Sequence, residues 1–301
     1  MNTTLKKLSL LLIATLSLQA SEVEYGHGTL NIKGGFIGLD STISADITTY
    51  SLIEHHKNIF ASTWFYRYNL TWYDSKTMVQ GQNTLNSQIT QANNLLNQAG
   101  GNVKVPTIPT LDYRLQGLDV NLVLGKDLYH KNENTFFGIG LMVGVSLPWI
   151  DSEKSDDNDD SSSDDAMDLM KKSKTKMLTY KIGPSISASA SLNKHFMVYG
   201  SATYAYQTGT LKNDYAHADL TVNGIFQEYD VGIKVQPFSQ DYKVSFLTLS
   251  PRLYGTLGYR YTDWTLNDVN IDVTGTNQKF TQTDFSSDNS VIYFGIGYDF
   301  F

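Results

Sequence analysis

Cysteine is absent from all 301 residues, which excludes a disulfide framework, thiolate metal sites, a cysteine nucleophile and a lipidated cysteine anchor. Long apolar runs are absent as well. Past residue 20 no stretch holds eighteen unbroken apolar residues, so no helix is available to cross a hydrocarbon layer of roughly 30 Å. A mature chain seated in a membrane must then be a closed sheet. Basic charge is scarce: 23 Lys and Arg against 30 Asp and Glu give a formal net charge of −7 and a pI near 5.3, the wrong sign for a nucleic-acid partner. Charged residues make up only 18 % of the chain and apolar ones 41 %, too apolar and too weakly charged for disorder. Six prolines stand beside 23 glycines, 19 tyrosines and 14 phenylalanines, a balance that points to strands and turns.

Residues 1–20 read as an address. Lys6 and Lys7 form a basic start, Leu8 to Leu18 is apolar, and Ala20 offers a small residue for cleavage before Ser21, the pattern of a secretory signal peptide. Its removal takes two positive charges and leaves the mature chain, 21–301, near −9.

Period-two alternation dominates the rest. From Phe137 to Trp149 one parity is Phe, Ile, Leu, Val, Val, Leu, Trp while the other is mostly Gly and Ser; from Leu178 to Leu192 an apolar parity faces Thr179, Lys181, Gly183 and four serines. A helix would smear such sets around its circumference. The same test finds strands around Trp64–Trp72, Leu118–Leu124, Tyr229–Val235 and Leu247–Tyr259. Weaker contrast marks Leu30–Leu39, Ile47–His55 and Phe196–Gln207, and a last strand runs Val291–Phe301, ten in all. Short polar turns at His56–Asn58, Asn193–His195 and Phe238–Tyr242 alternate with longer pieces at 74–110, 151–177, 208–223 and 264–289. Gly125–Asn134 is a longer turn and Asp40–Ala45 a short loop. Short turns alternating with long loops predict an all-β, up-and-down transmembrane barrel with periplasmic turns and extracellular loops.

Which face is oily decides between lipid and water. The polar parity carries Lys33, Arg67, Asp119, Lys181, Glu228, Asp230, Lys234, Arg252 and Arg260 among many Gly and Ser, a composition suited to a curved polar lumen. Trp72, Trp149, Tyr206, Tyr261 and Trp264 fall at strand ends beside the long loops, and Tyr129, Phe196, Phe238 and Phe300 at the opposite ends, predicting two aromatic girdles. Pro184 and Pro251 resist the scheme, because a closed sheet has no free edge to tolerate a missing donor, and bulges or displaced strand ends are expected there.

The chain ends Tyr293-Phe-Gly-Ile-Gly-Tyr-Asp-Phe-Phe301. It resembles the Gram-negative outer-membrane β-barrel proteins, whose last strand carries a glycine, two spacers, an aromatic, one spacer and an aromatic; Gly295, Tyr298 and Phe300 fit, with Phe301 extra. The resemblance spans residues 21–301 and implies recognition by the barrel assembly machinery, residence in the outer membrane, and contact with its lipid and lipopolysaccharide. No cofactor is implied.

Ten strands leave a lumen near the limit that side chains can fill. Both charge signs on the inner parity predict cross-strand pairs, for example Glu228 or Asp230 with Arg252, and a plugged lumen. The function expected is surface interaction or envelope integrity, with a narrow or substrate-specific channel as the alternative. Loop 83–99 spaces Leu85, Ile89, Ala92 and Leu96 as a short helix on the rim would, among ten Asn and Gln between Gln80 and Gln98. Asp156, Asp157, Asp159 and Asp160 are weak Ca²⁺ candidates in an acidic loop that lacks the glycine of an EF-type bend. The omptin proteases are also ten-stranded outer-membrane barrels, and this chain resembles them in architecture alone. Their acid and histidine pairs lie two apart, whereas Asp214 and His217 lie three apart and so point to opposite faces. His55 and His56 are adjacent and point apart as well. An enzyme is not expected.

Overall fold

Alternating sequence produces alternating faces, and ten long strands carry them. In the computed structural model the described residues are 22–36, 39–59, 63–76, 78–79, 112–129, 134–153, 174–213, 218–244, 247–272, 279–281 and 285–298. The strands are β1 (Glu22–Phe36), β2 (Leu39–Ile59), β3 (Trp64–Ser75), β4 (Asp112–Asp127), β5 (Thr135–Glu153), β6 (Lys174–Ser191), β7 (Phe196–Asn213), β8 (Ala218–Val235), β9 (Leu253–Asp272) and β10 (Phe285–Tyr298). Each pairs antiparallel with the next, and β10 pairs with β1, so the ring closes. Closure leaves no edge of unpaired backbone in the ring, the condition for a sheet to stand in lipid. Short extra strands lie at Met78–Val79 against β4 and at Lys279–Thr281 against β9, and Tyr242–Val244 pairs with Leu247–Leu249 in a separate hairpin.

The outward parity is a belt of aliphatic side chains in the open: Leu141 is 52 % exposed, Val231 56 % and Ile292 64 %. Water would not tolerate so continuous an apolar surface, and acyl chains do. On the loop side the belt ends in touching rings. Tyr25 meets Tyr50 edge to face at 5.5 Å, Trp72 meets Trp149 at 5.2 Å, and Tyr229 stacks on Tyr261 at 6.4 Å. Exposed Tyr206 belongs to the same ring of aromatics. Trp64, Tyr129 and Phe196, all exposed, mark the turn side, while Phe238 packs on Tyr242 just beyond it.

Strands of 12 to 21 residues exceed the roughly 9–11 that cross a bilayer, and the excess lies on the loop side. There the binary pattern inverts. Along β1 the inward parity changes from Glu22 and Glu24 to Leu30 and Ile32, while the outward parity changes from Val23 and Tyr25 to Asn31 and Lys33. On β9, Arg260 and Thr262 give way inside to Trp264 and Leu266, as Tyr259 and Tyr261 give way outside to Asp263 and Thr265; β8 does the same between Asp230 and Val222. Below the girdle the barrel is oily outside and holds its buried charges inside, beside inward Phe65, Val123, Phe136 and Met142. Above it, the same strands are polar outside and oily inside, as in a water-soluble β-protein.

The inversion corrects two expected positions. Lys33 points outward, with 59 % of its side chain exposed and Asp288 at 3.9 Å, instead of into the lumen. Trp264 points inward and packs edge-on against Tyr73, instead of standing in the girdle. It also explains why the strands run further than expected: segment 40–45 lies in β2, and β7, β8, β9 and β10 extend into segments read as loops, because the mark of an oily outer face stops at the girdle. Arg252 precedes β9 and is exposed; the register sets Arg260, not Arg252, opposite Asp230. The connection after β8 is longer than a turn at Phe238–Tyr242, since Tyr242–Val244 pairs with Leu247–Leu249 in the separate two-stranded sheet and β9 begins at Leu253. Pro251 therefore lies outside the barrel strands. Pro184 sits inside β6 with no bulge: pairing to β7 skips Gly183 and Pro184 and resumes in the same register at Ser185.

Candidate functional site: the barrel lumen

The lumen has three storeys. On the loop side Leu30, Ile32, Ile47, Tyr73, Leu115, Met177, Val222, Phe226, Trp264 and Leu266 pack into a continuous apolar core. Nothing charged is needed to close it, because side chains from seven of the ten strands fill the cross-section, as expected near this strand number.

The middle storey holds buried charge. Arg260 donates to Asp230 at 2.8 and 3.1 Å, to Glu24 at 2.9 Å and to the Ser51 hydroxyl at 3.2 Å. Tyr293 donates to the other oxygen of Asp230 at 2.5 Å and shares a 2.7 Å hydrogen bond with Tyr199, while its ring lies 4.8 Å beneath the guanidinium. One fork-shaped cation thus ties β1, β2, β8 and β9 together, and the tyrosines extend the network to β7 and β10. Lys181 reaches Asp119 at 3.2 Å and sits 3.9 Å over the Phe226 ring; Ser146 also donates to Asp119. Arg67 crosses the barrel from β3, donating to Ser201 on β7 and approaching Glu228 on β8 at 3.9 Å.

Glycine makes room for the tyrosines. Tyr73 faces Gly117, Tyr199 faces Gly232 and Tyr293 faces Gly258 as direct cross-strand partners. A Cβ at any of the three glycines would overlap the opposing phenol ring.

On the turn side the lumen widens into a chamber of about 730 Å³. Its wall includes Glu22, His55, Lys57, Arg67, Phe136, Tyr199, Lys234 and Tyr254, and runs to the turn-side ends of β1, β2, β7, β8 and β9. His55 packs edge-on against Phe65 and Phe136, at 5.9 and 5.0 Å. Lys57 Nζ lies 4.7 Å from the Phe136 ring, and Lys234 Nζ lies 3.5 Å from that of Tyr254. His56 faces the other way, hydrogen-bonded to Glu54 at 2.7 Å and tilted on Tyr66.

Of the lumen charges named from sequence, Arg67, Asp119, Lys181, Glu228, Asp230, Lys234 and Arg260 point inward. Sequence reading missed Glu22, Glu24, His55, Tyr199 and Tyr293. The acids of β1 share a parity with Gly26 and Gly28, and each inward tyrosine stands opposite a glycine; both signals appear only once register is known. Trp72, Trp149, Tyr206 and Tyr261 face outward. Gly295 faces the lumen beside Glu22 and Thr256, Tyr298 ends β10, and Phe300 and Phe301 lie outside the described residues. So do Asp156, Asp157, Asp159, Asp160, Asp214, His217 and the segment Leu85–Leu96. Among the described residues no group of three or more His, Asp or Glu is placed to hold a metal.

Outside the wall, above the girdle, polar partners replace lipid contacts. Asp74 receives two bonds from Arg114, at 2.5 and 2.7 Å, and Asn31 donates to Asp288 at 2.8 Å. Asp46 receives Lys76 at 2.8 Å, a bond that raises the Lys76 ammonium above its ordinary range.

No protein-family model matches this chain, and no curated protein matches it. Solved structures similar to it are barrels. The outer membrane protease OmpT of Escherichia coli is 11 % identical, with 93 % of this chain and 96 % of that one covered and a TM-score of 0.46. The translocator domain of the autotransporter NalP of Neisseria meningitidis is 9 % identical over 98 % and 96 %, with a TM-score of 0.34. The attachment invasion locus protein Ail of Yersinia pestis is 7 % identical over 91 % and 97 %, with a TM-score of 0.30. Scores this low carry no functional argument; the closed ten-strand ladder and its oily outer belt make the protein a transmembrane β-barrel of the outer-membrane type.

Proposed function

We propose that the protein is a non-conducting outer-membrane barrel that works as a surface scaffold. In this reading the signal peptide is cleaved, the assembly machinery reads the terminal strand with Gly295, Tyr298 and Phe300, and the girdle sits among outer-leaflet lipid and lipopolysaccharide. The wall above it then carries the loops at 74–110 and 151–177 into the medium for surface contacts. The observation that supports this reading is the loop-side apolar core, which fills the cross-section with side chains such as Leu30, Ile47, Phe226 and Leu266, each at most 1 % exposed. A diffusion pore needs a continuous wet path, and dry packing of this kind interrupts one. Purified protein in a planar lipid bilayer should give no stable conductance steps. Large, long-lived steps would overturn the proposal in favour of a channel.

A further inference from the structure

A face turned to lipid tolerates few charges. Between the two girdles the outward parity of the described strands carries Asp, Glu, His, Lys or Arg at three positions only. They are Glu54 and His56 on β2 and Lys126 on β4, the last paired with Trp64 at the turn-side edge. Glu54 is not at an edge. Its direct cross-strand partner is Tyr68, which stands four residues from Trp72 of one girdle and four from Trp64 of the other. The carboxyl group is therefore held near the middle of the oily band, where an ionisable side chain needs a named partner to explain it.

The partners within the chain leave that explanation incomplete. His56 at 2.7 Å and the Tyr66 hydroxyl at 2.8 Å both reach Oε1 of Glu54. Among the described residues Oε2 accepts no hydrogen bond, and the hydroxyl of Tyr68 makes none. An acceptor and a donor thus stand side by side on the outer wall, each with a bond unmade in a medium that offers no water to make it. The surface around them is aromatic and aliphatic: Tyr50 and Trp72 on the loop side, Trp64 and Tyr66 on the turn side, and Leu122 beside Tyr68 on β4.

A neighbour that completes both groups must bring a donor to Glu54 and an acceptor to Tyr68 at one height in the bilayer. The same patch on a second copy brings both. Two copies inserted in the same sense are related by a two-fold axis along the membrane normal, which preserves height, and an isologous contact sets residue i on j and j on i. Glu54 and Tyr68 are direct partners in the ladder, so they lie close enough in height for that exchange. We infer that the wall formed by β2, β3 and β4 is the contact face of a symmetric dimer in the membrane, in which Tyr68 of each copy donates to Glu54 of the other.

The test uses the full mature protein in a neutrally buoyant detergent, with its mass followed by sedimentation equilibrium. A reversible equilibrium between one and two copies is expected. Tyr68→Phe keeps the ring and removes the donor, and symmetry removes two hydrogen bonds at once. The dissociation constant should therefore rise roughly tenfold, at a few-fold for each hydrogen bond in a membrane. Tyr204→Phe, on the far wall and also exposed, should leave it unchanged. Heat-dependent gel mobility checks that each variant is an intact barrel. In outer membranes, a short bis-maleimide should join Leu122→Cys into a species of twice the mass and should not join Val231→Cys, on β8. A single copy at all concentrations, a dimer indifferent to Tyr68→Phe, or Leu122→Cys joined to a chain of another mass overturns the inference. Conductance does not depend on the outer wall, so the scaffold reading and this one fail separately.

Discussion

Glu24 and Leu30 point into the same lumen from the same face of β1, at 3 % and 1 % exposure, yet one lies against a guanidinium and the other in an apolar core. Between them the strand leaves the membrane. A lipid-embedded segment must present oil outward, and a water-embedded segment must bury it; one continuous strand satisfies both by exchanging its faces at the aromatic girdle. The position of that exchange sets where charge is tolerated, where the lumen is dry, and what a substitution costs.

The outer wall should respond to charge according to height. Val143→Arg, in the middle of the outward belt of β5, should destabilise the folded barrel by about 2–4 kcal/mol, the depth-dependent cost of a cation on the lipid face. Lys33→Ala, above the girdle on a surface already wet, should stay within about 0.5 kcal/mol. Urea unfolding in lipid vesicles, followed by tryptophan fluorescence, measures both.

Removing the central cation should cost more than removing its partners along with it. Arg260→Met leaves Glu24 and Asp230 buried without their cation and should cost about 3–5 kcal/mol. Arg260→Met combined with Glu24→Gln and Asp230→Asn should recover most of that loss. The same unfolding assay reads the difference, and equal loss in the single and triple variants would show that the network acts by shape alone.

The apolar storey should behave as a packed core. Leu30→Ala should destabilise by about 2–5 kcal/mol and lower the temperature at which the compact gel band converts to the unfolded one. Stability unchanged by this substitution would mean that the storey is not packed as described.

Gly258 is set by its neighbour. Gly258→Ala places a methyl group where Tyr293 lies and should cost about 1–3 kcal/mol by overpacking. Tyr293→Ala in the Gly258→Ala background should then be less damaging than Tyr293→Ala alone, which a double-mutant cycle detects.

The barrel was legible because ten strands with oily outer faces leave period-two signatures, strongest in β5 and β6 with their Gly and Ser partners. Arg67, Lys181, Asp230 and Arg260 were legible as lumen charges on the same ground. Lys33 and Trp264 were not, since parity alone does not say on which side of the girdle a residue stands, and inversion reverses the meaning of parity. Glu24 escaped notice because the weak contrast of β1 is the average of two opposite patterns. The Tyr199, Tyr293 and Asp230 contacts depend on register around a closed ring, which no local pattern encodes. The chamber arises from the same closure, which brings Lys57 of β2 and Lys234 of β8 to one mouth.

The exchange of faces is tested most directly by placing single cysteines, in this cysteine-free chain, along the outward parity of β1. With the protein assembled in intact cells, a membrane-impermeant maleimide should label cysteine at Asn31 and Lys33 and should not label cysteine at Val23 or Tyr25 until detergent is added. Protection of positions 31 and 33 equal to that of 23 would place the whole strand in lipid and contradict the inversion.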